Sequence, residues 1–337
     1  MLTPADLLRL PYTPDLTEGG IAYACRTLAA ASNRVGDSPF DHLRSIVARV
    51  AVELAFRRYL TEQKVPFAVL GAEPFTHPDQ YDVSLGGHRC QVMNYLISRR
   101  QQIAHLRQDP GFALRAPALI PLDQFATEGH KPDDLYLFAF LLGLTAAAQG
   151  EMERALAAGQ PAYLIHPLPD EWARPVNWLP FEKLIMKSEC DIPIRVEIGG
   201  MDAERNFAST VLELPPHTRL PVEQAFYNLA YVHAGQKPTA RIGLHSPRCV
   251  ATYVIQPFNW GNLWVYGMDI LLAGWLTHEE YRRKASVLNV GMRTFQYDIT
   301  RLKNLQVPMA ELNPLGSLFE QVRQWGKMRR TLETLRN

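Results

Sequence analysis

The stretch that most narrows what this chain can fold into runs from Tyr81 to Ile97, where two runs of alternating character meet at Gly86-Gly87. A two-residue hairpin turn that matches strand twist needs positive φ at both central positions, which glycine adopts without steric cost. With the glycine pair as the turn, Leu85 faces His88, Ser84 faces Arg89, Val83 faces Cys90 and Asp82 faces Gln91. Alternate residues share a face of a strand. The register therefore puts Val83, Leu85, Cys90 and Val92 on an apolar face, and Asp82, Ser84, Arg89, Gln91 and Met93 on the other. An acid, an amide and an arginine gather at one end of a hairpin otherwise built for burial, which makes that end a candidate site.

The flanking sequence supplies the elements around it. From Asp41 to Gln63, Leu43, Ile46, Val47, Val50, Leu54 and Leu60 recur with helical period and build one apolar stripe. Glu53 falls inside that stripe, where a carboxylate is costly unless it is paired or bound to a cation. Arg57, one turn further on, is a ready partner; a metal site is the other way to satisfy it. Val65 to Leu70 reads as a strand before the hairpin. Ser98 is placed to cap a helix from Arg99 to Arg107 that Asp109-Pro110 ends. Leu135 to Leu142 fits a fully buried strand, followed by a helix over Ala146 to Ala158 and a strand over Ala162 to His166.

An acid at the start of one strand, a glycine turn, and a triplet on the next strand at the place of an acid-x-Lys motif make residues 40 to 165 resemble the PD-(D/E)XK, restriction-endonuclease-like, nuclease superfamily. The order helix, three strands, helix, strand resembles it as well. The resemblance implies an α/β fold with a mixed central sheet flanked by helices. It also implies two acids that hold Mg²⁺, a lysine that orients or activates the attacking water, and often a further glutamate from the preceding helix. Asp82 matches the first acid, with Pro78-Asp79 just before it, and Glu53 the helix-borne one. The triplet here reads Gln91-Val92-Met93, so both charged members are missing. Carried over, Glu53, Asp82 and Gln91 form the catalytic set, with Glu53 and Asp82 as the Mg²⁺ ligands. Arg89, Arg99, Arg100 and Arg107 are the side chains to meet nucleic-acid phosphates, and Arg115 follows them. Mg²⁺ prefers anionic oxygens in an octahedral shell, whereas Gln91 offers a neutral carbonyl and Met93 can neither carry charge nor orient water. Losing one preorganised charged group typically removes ~10²–10³ in rate, so two losses predict a weak or inactive enzyme.

With 337 residues, 47% of them hydrophobic, the chain can bury a sizeable core in two domains or one large one. The expected division is an N-terminal arm over 1–40, a nuclease-like core over 41–175, and an α+β domain with a basic helical tail over 176–337. A proline-rich passage from Pro167 to Pro180 marks the boundary, with Trp172 and Trp178 packing between domains. In the last part, strands around Leu184 and around Ile194 to Ile198 turn at Gly199-Gly200, and Pro221 to His233 reads as a helix. Strands are expected over Arg241 to Leu244, Ala251 to Gln256 and Leu263 to Ala273. The basic residues of the C-terminal quarter include Arg293, Arg301, Lys303, Arg323, Lys327, Arg329 and Arg330.

The net charge of +1 neither supports nor opposes nucleic-acid binding. Four well-separated cysteines form no CxxC, which points to a reducing cytoplasm rather than a zinc ribbon or disulfide framework. The N-terminus lacks the pattern of a signal peptide, and the longest apolar run falls short of the ~20 residues that span a bilayer, so no membrane is expected. The motifs of serine hydrolases, dinucleotide folds, P-loops and zincins are absent from the sequence. The expected function is a nuclease-fold nucleic-acid-binding protein, with DNA the favoured partner, whose hydrolysis is impaired or lost. It would serve as a subunit beside a partner protein in a DNA-processing or defence complex. The alternatives are an active Mg²⁺-dependent endonuclease using Glu53, Asp82 and Gln91, and an interaction subunit that binds no nucleic acid.

Overall fold

Gly86 and Gly87 take φ of +61° and +95° in the computed structural model. The strands Val83–Leu85 and His88–Ile97 pair antiparallel across them, with Val83 opposite Cys90, Ser84 opposite Arg89 and Leu85 opposite His88. Val83, Leu85, Cys90 and Val92 are buried, as their shared apolar face requires. The structure describes residues 1–28, 38–69, 83–127, 129–249 and 251–336, with the backbone alone at 268 and 326–336. Asp82 and Pro78-Asp79 lie outside the described residues, and so does the expected pairing of Asp82 with Gln91.

By its internal contacts the chain divides into two units, and neither is one continuous stretch. The first takes Met1–Gly20, Ala48–Leu144 and Tyr266–Asn337; the second takes Ile21–Val47 and Thr145–Val265. The sequence reading drew consecutive segments at 1–40, 41–175 and 176–337, whereas these units interleave. The reason lies in one strand, Val265–Thr277, which returns to the sheet beside Leu135–Thr145.

The six-stranded sheet of the first unit runs Leu8–Leu10, Val265–Thr277, Leu135–Thr145, His88–Ile97, Val83–Leu85, Phe67–Ala68. His88–Ile97 and Leu135–Thr145 are parallel, with Gln91 beside Tyr136, Met93 beside Phe138 and Tyr95 beside Phe140. A parallel pair needs a crossover. Here it holds the helix Arg100–Gln108, the strand Pro117–Pro121 and the short helix Leu122–Phe125. Arg99 occupies the N-cap position of the first of these without a side-chain hydrogen bond, in place of the expected Ser98. Leu135–Thr145 is buried along all but its last two residues, which explains its unbroken apolar run. On one face of the sheet Tyr95, Ile97, Tyr136, Phe138 and Phe140 pack with Ile103, Leu106, Ile120 and Tyr281 in a single core. The strands Pro117–Pro121, Asn304–Pro308 and Ser286–Leu288 form a separate small sheet. The long helix Pro39–Glu62 gives its last two-thirds to this unit and its first turns to the other.

The second unit is largely antiparallel sheet. Phe207–Leu214, Ile194–Met201, Asn228–Ala234, Leu164–Pro167 and Gly261–Asn262 form one layer, and Arg219–Pro221, Ile185–Ser188, Ile242–His245 and Tyr253–Ile255 another. Four expectations are corrected here. The strand expected at Ala162 to His166 forms over Leu164–Pro167, but in this sheet rather than in the six-stranded one. The helix expected over Pro221 to His233 is instead a central strand, Asn228–Ala234, buried on nearly every residue. A short run that is apolar at both periods cannot be told from a helix by pattern alone. Gly199-Gly200 is no turn: Ile194–Met201 runs straight through it, because the Tyr231 ring and the Asn228 carbonyl occupy the space that β-carbons there would fill. Trp172 stacks on Phe181 at 5.1 Å and Trp178 lies 5.8 Å from Tyr227, so each packs within this unit rather than between domains. Among the described residues, no helix is long and apolar enough to cross a membrane.

Candidate functional site

Glu53 sits on the buried stripe of the long helix, 9% exposed, and its carboxylate pairs with Arg57 four residues on. Gln91 is equally buried. The short helix Leu122–Phe125 brings Gln124 over it: Nε2 donates to Gln91 Oε1 at 3.5 Å and reaches the Met93 sulfur at 3.9 Å. A neutral amide thus covers Gln91 and Met93. Among the described residues no group of three or more His, Cys, Asp or Glu could hold a metal. Of the expected set, these residues offer one carboxylate engaged by a guanidinium and one neutral carbonyl. The remaining charge that a Mg²⁺ ion needs would have to come from Asp82, outside the described residues.

The arginines expected to meet phosphate are mostly occupied. Arg89 donates through a terminal nitrogen to the Gly129 carbonyl at 3.0 Å. Arg99 pairs with Asp298. Arg107 sits 3.1 Å from Asp269, whose carboxylate also approaches Arg9 at 4.0 Å. Arg100 is exposed and has no carboxylate partner among the described residues. His88, beside the turn, is half-buried. Its ring lies 4.1 Å from Trp325 on the helix Leu315–Arg336, and Nδ1 is 2.9 Å from Asp133. The indole reaches the turn because Gly86 has no β-carbon: one there would stand 2.7 Å from the Trp325 ring.

Beside Gln91 the fold assembles a cluster that the sequence reading missed. Tyr136, level with Gln91 in the parallel register, hydrogen-bonds His278 Nδ1 at 2.9 Å. Phe125 and His130 each stack on the His278 ring, at 4.3 Å and 5.2 Å between ring centres. Asp134 is 3.5 Å from His130 and accepts the Lys131 backbone N–H at 2.8 Å. Burial, reinforced by the nearby Asp134 charge, pushes the Tyr136 phenol well above its ordinary range, so it keeps its proton and donates. His278 Nδ1 is then the acceptor and its proton sits on Nε2. Burial first, then the neighbouring His130, push the His278 imidazole below the usual histidine value. The hydrogen-bonded Tyr136 and His278 can orient a bound group, but among the described residues the cluster presents no paired carboxylates and no lysine side chain for hydrolysis. His130, in a loop, and His278, at the start of the helix His278–Lys284, lie far apart in the chain, and no spacing in the sequence joins them. Asp133-Asp134 at the head of the buried strand is the nearest thing to a signal.

No protein-family model, curated protein or solved structure matches this chain.

Proposed function

We propose that the protein is a nuclease-fold nucleic-acid-binding subunit, acting on DNA, in which phosphodiester hydrolysis is impaired or lost, and that it works within a DNA-processing or defence complex. What carries the reading is the glycine-turn hairpin whose second strand pairs in parallel with a buried strand, with Gln91-Val92-Met93 at the place of the acid-x-Lys motif. The order long helix, three strands, helix, strand supports it. The engagement of Glu53 by Arg57 and the neutral roof of Gln124 over Gln91 favour loss of catalysis over a relocated metal site.

The test uses the full chain with labelled duplex and single-stranded DNA across a salt series, and with plasmid in Mg²⁺ or Mn²⁺ beside a Glu53→Ala/Asp82→Ala control. Retention that weakens as salt rises is expected, because released counterions drive phosphate binding. No cleavage beyond that of the control is expected. Cleavage that disappears in the control would establish an active endonuclease instead. Absence of retention even at low salt would leave an interaction subunit that binds no nucleic acid.

A further inference from the structure

Arg99 and Arg107 are neutralised by aspartates, but two other arginines of the first unit are left without a carboxylate among the described residues, and both line one cavity. Arg115 ends the 3-10 turn Pro110–Arg115, its guanidinium 4.7 Å from the centre of the Phe112 ring. Arg293 lies on the connection between the strands Ser286–Leu288 and Asn304–Pro308. The cavity they share has a volume of ≈ 660 Å³, a size that suits a small ligand, and Ser286, Thr294 and Gln306 add uncharged polar groups to its wall. Among the described residues, no aspartate or glutamate lines it.

The wall is held in place before any ligand arrives. Phe295, next to Thr294, packs its ring 5.7 Å from Phe112 and 6.2 Å from Phe140. Gln102 Nε2 donates to the Phe295 carbonyl at 2.8 Å, and the Gln296 side chain donates to the Pro117 carbonyl. Arg293 therefore enters the cavity from a segment tied to the core on both sides of the ring. Arg115 is steadied by the aromatic face beneath it. Two cations around one cavity repel each other while it is empty, and an anion turns that repulsion into attraction. The planar fork of arginine fits phosphate oxygens two at a time.

We infer that this cavity binds a phosphate group, with Arg115 and Arg293 as its cationic ligands. The group comes either from a nucleic-acid backbone or from a small phosphorylated molecule; only the first source rests on the nucleic-acid reading above. The probe is inorganic pyrophosphate, titrated calorimetrically into the full chain, its Arg115→Gln and Arg293→Gln variants and the double variant, with thermal melts to confirm folding. Each single substitution is expected to weaken pyrophosphate by about tenfold or more, and the double variant to lose it. A gel shift of a labelled oligonucleotide with the same proteins identifies the source. If each substitution lowers the salt slope of oligonucleotide binding by about one and pyrophosphate competes, the phosphate belongs to a strand. If pyrophosphate binds and the oligonucleotide does not respond, the ligand is a free phosphorylated molecule and the nucleic-acid reading loses this site without the cavity losing its ligand. Folded wild-type protein that takes up no pyrophosphate, or a folded double variant that binds it as well as wild type, would overturn the inference.

Discussion

Gly86 sits at φ +61° with the Trp325 ring where its β-carbon would stand, so a side chain there meets a left-handed backbone penalty and a clash together. Gly199 poses the second problem without the first. It lies in ordinary strand conformation opposite Tyr231, whose ring atoms would be 2.2 Å from an added β-carbon. Gly86→Ala and Gly199→Ala are each expected to cost about 1–3 kcal/mol in urea denaturation. The difference shows in the second substitution: Tyr231→Ala should remove most of the added penalty at Gly199, whereas Trp325→Ala should leave the conformational part of the cost at Gly86. Equal rescue at both positions would contradict this separation. The same dipeptide thus makes a turn at 86–87 and admits a neighbour at 199–200. Only the first was legible in the sequence, because turn chemistry is local and a ring from another strand is not.

At the scale of the element, the long helix carries its own test. Glu53 and Arg57 are partners one turn apart, with side chains 11% and 25% exposed. Arg57→Met leaves a carboxylate on the buried stripe and is expected to cost about 1–3 kcal/mol, less than a fully buried pair because water still reaches the guanidinium. Adding Mg²⁺ to the variant should not restore its urea midpoint, because Gln91 brings no charge to share a metal. Recovery of stability specific to Mg²⁺ would mark Glu53 as a ligand. The helix, the hairpin and the Leu135–Thr145 strand could be read from their periods alone, since each is long or bounded by strong punctuation. The strand Asn228–Ala234 could not, and neither could the small sheet built on Pro117–Pro121, whose partners Asn304–Pro308 lie at the far end of the chain. At the candidate site the register was legible, but the roof of Gln124 and the stack of Phe125, His278 and His130 depend on segments distant in sequence that only the folded chain brings together.

For the molecule as a whole, each unit holds a histidine whose hold on a proton is weakened by burial. His278 in the first unit is pushed down by burial and then by His130; His166 in the second is pushed down by burial, its Nε2 within 2.8 Å of the Tyr253 hydroxyl. A folded value below that of the unfolded chain means that the unfolded state binds more protons in the interval between them. Stability from this source is therefore complete above about pH 6.5 and falls as the pH drops below it. Urea midpoints measured at about pH 7.5 and about pH 5.5 should fall toward acid. His278→Gln should flatten the part of that fall reported by the first unit, and an unchanged slope would remove His278 as its cause.

The interleaving of the two units also sets an order of assembly during synthesis. The Thr145–Val265 stretch has left the ribosome before the residues of Val265–Thr277 can reach the six-stranded sheet, so the middle of the chain can close first. Until then Leu135–Thr145, apolar along nearly its whole length, lacks one of its two neighbours and presents an open edge. Nascent chains halted just short of Tyr266 would be the form most in need of a chaperone, and the form most prone to stick to one another.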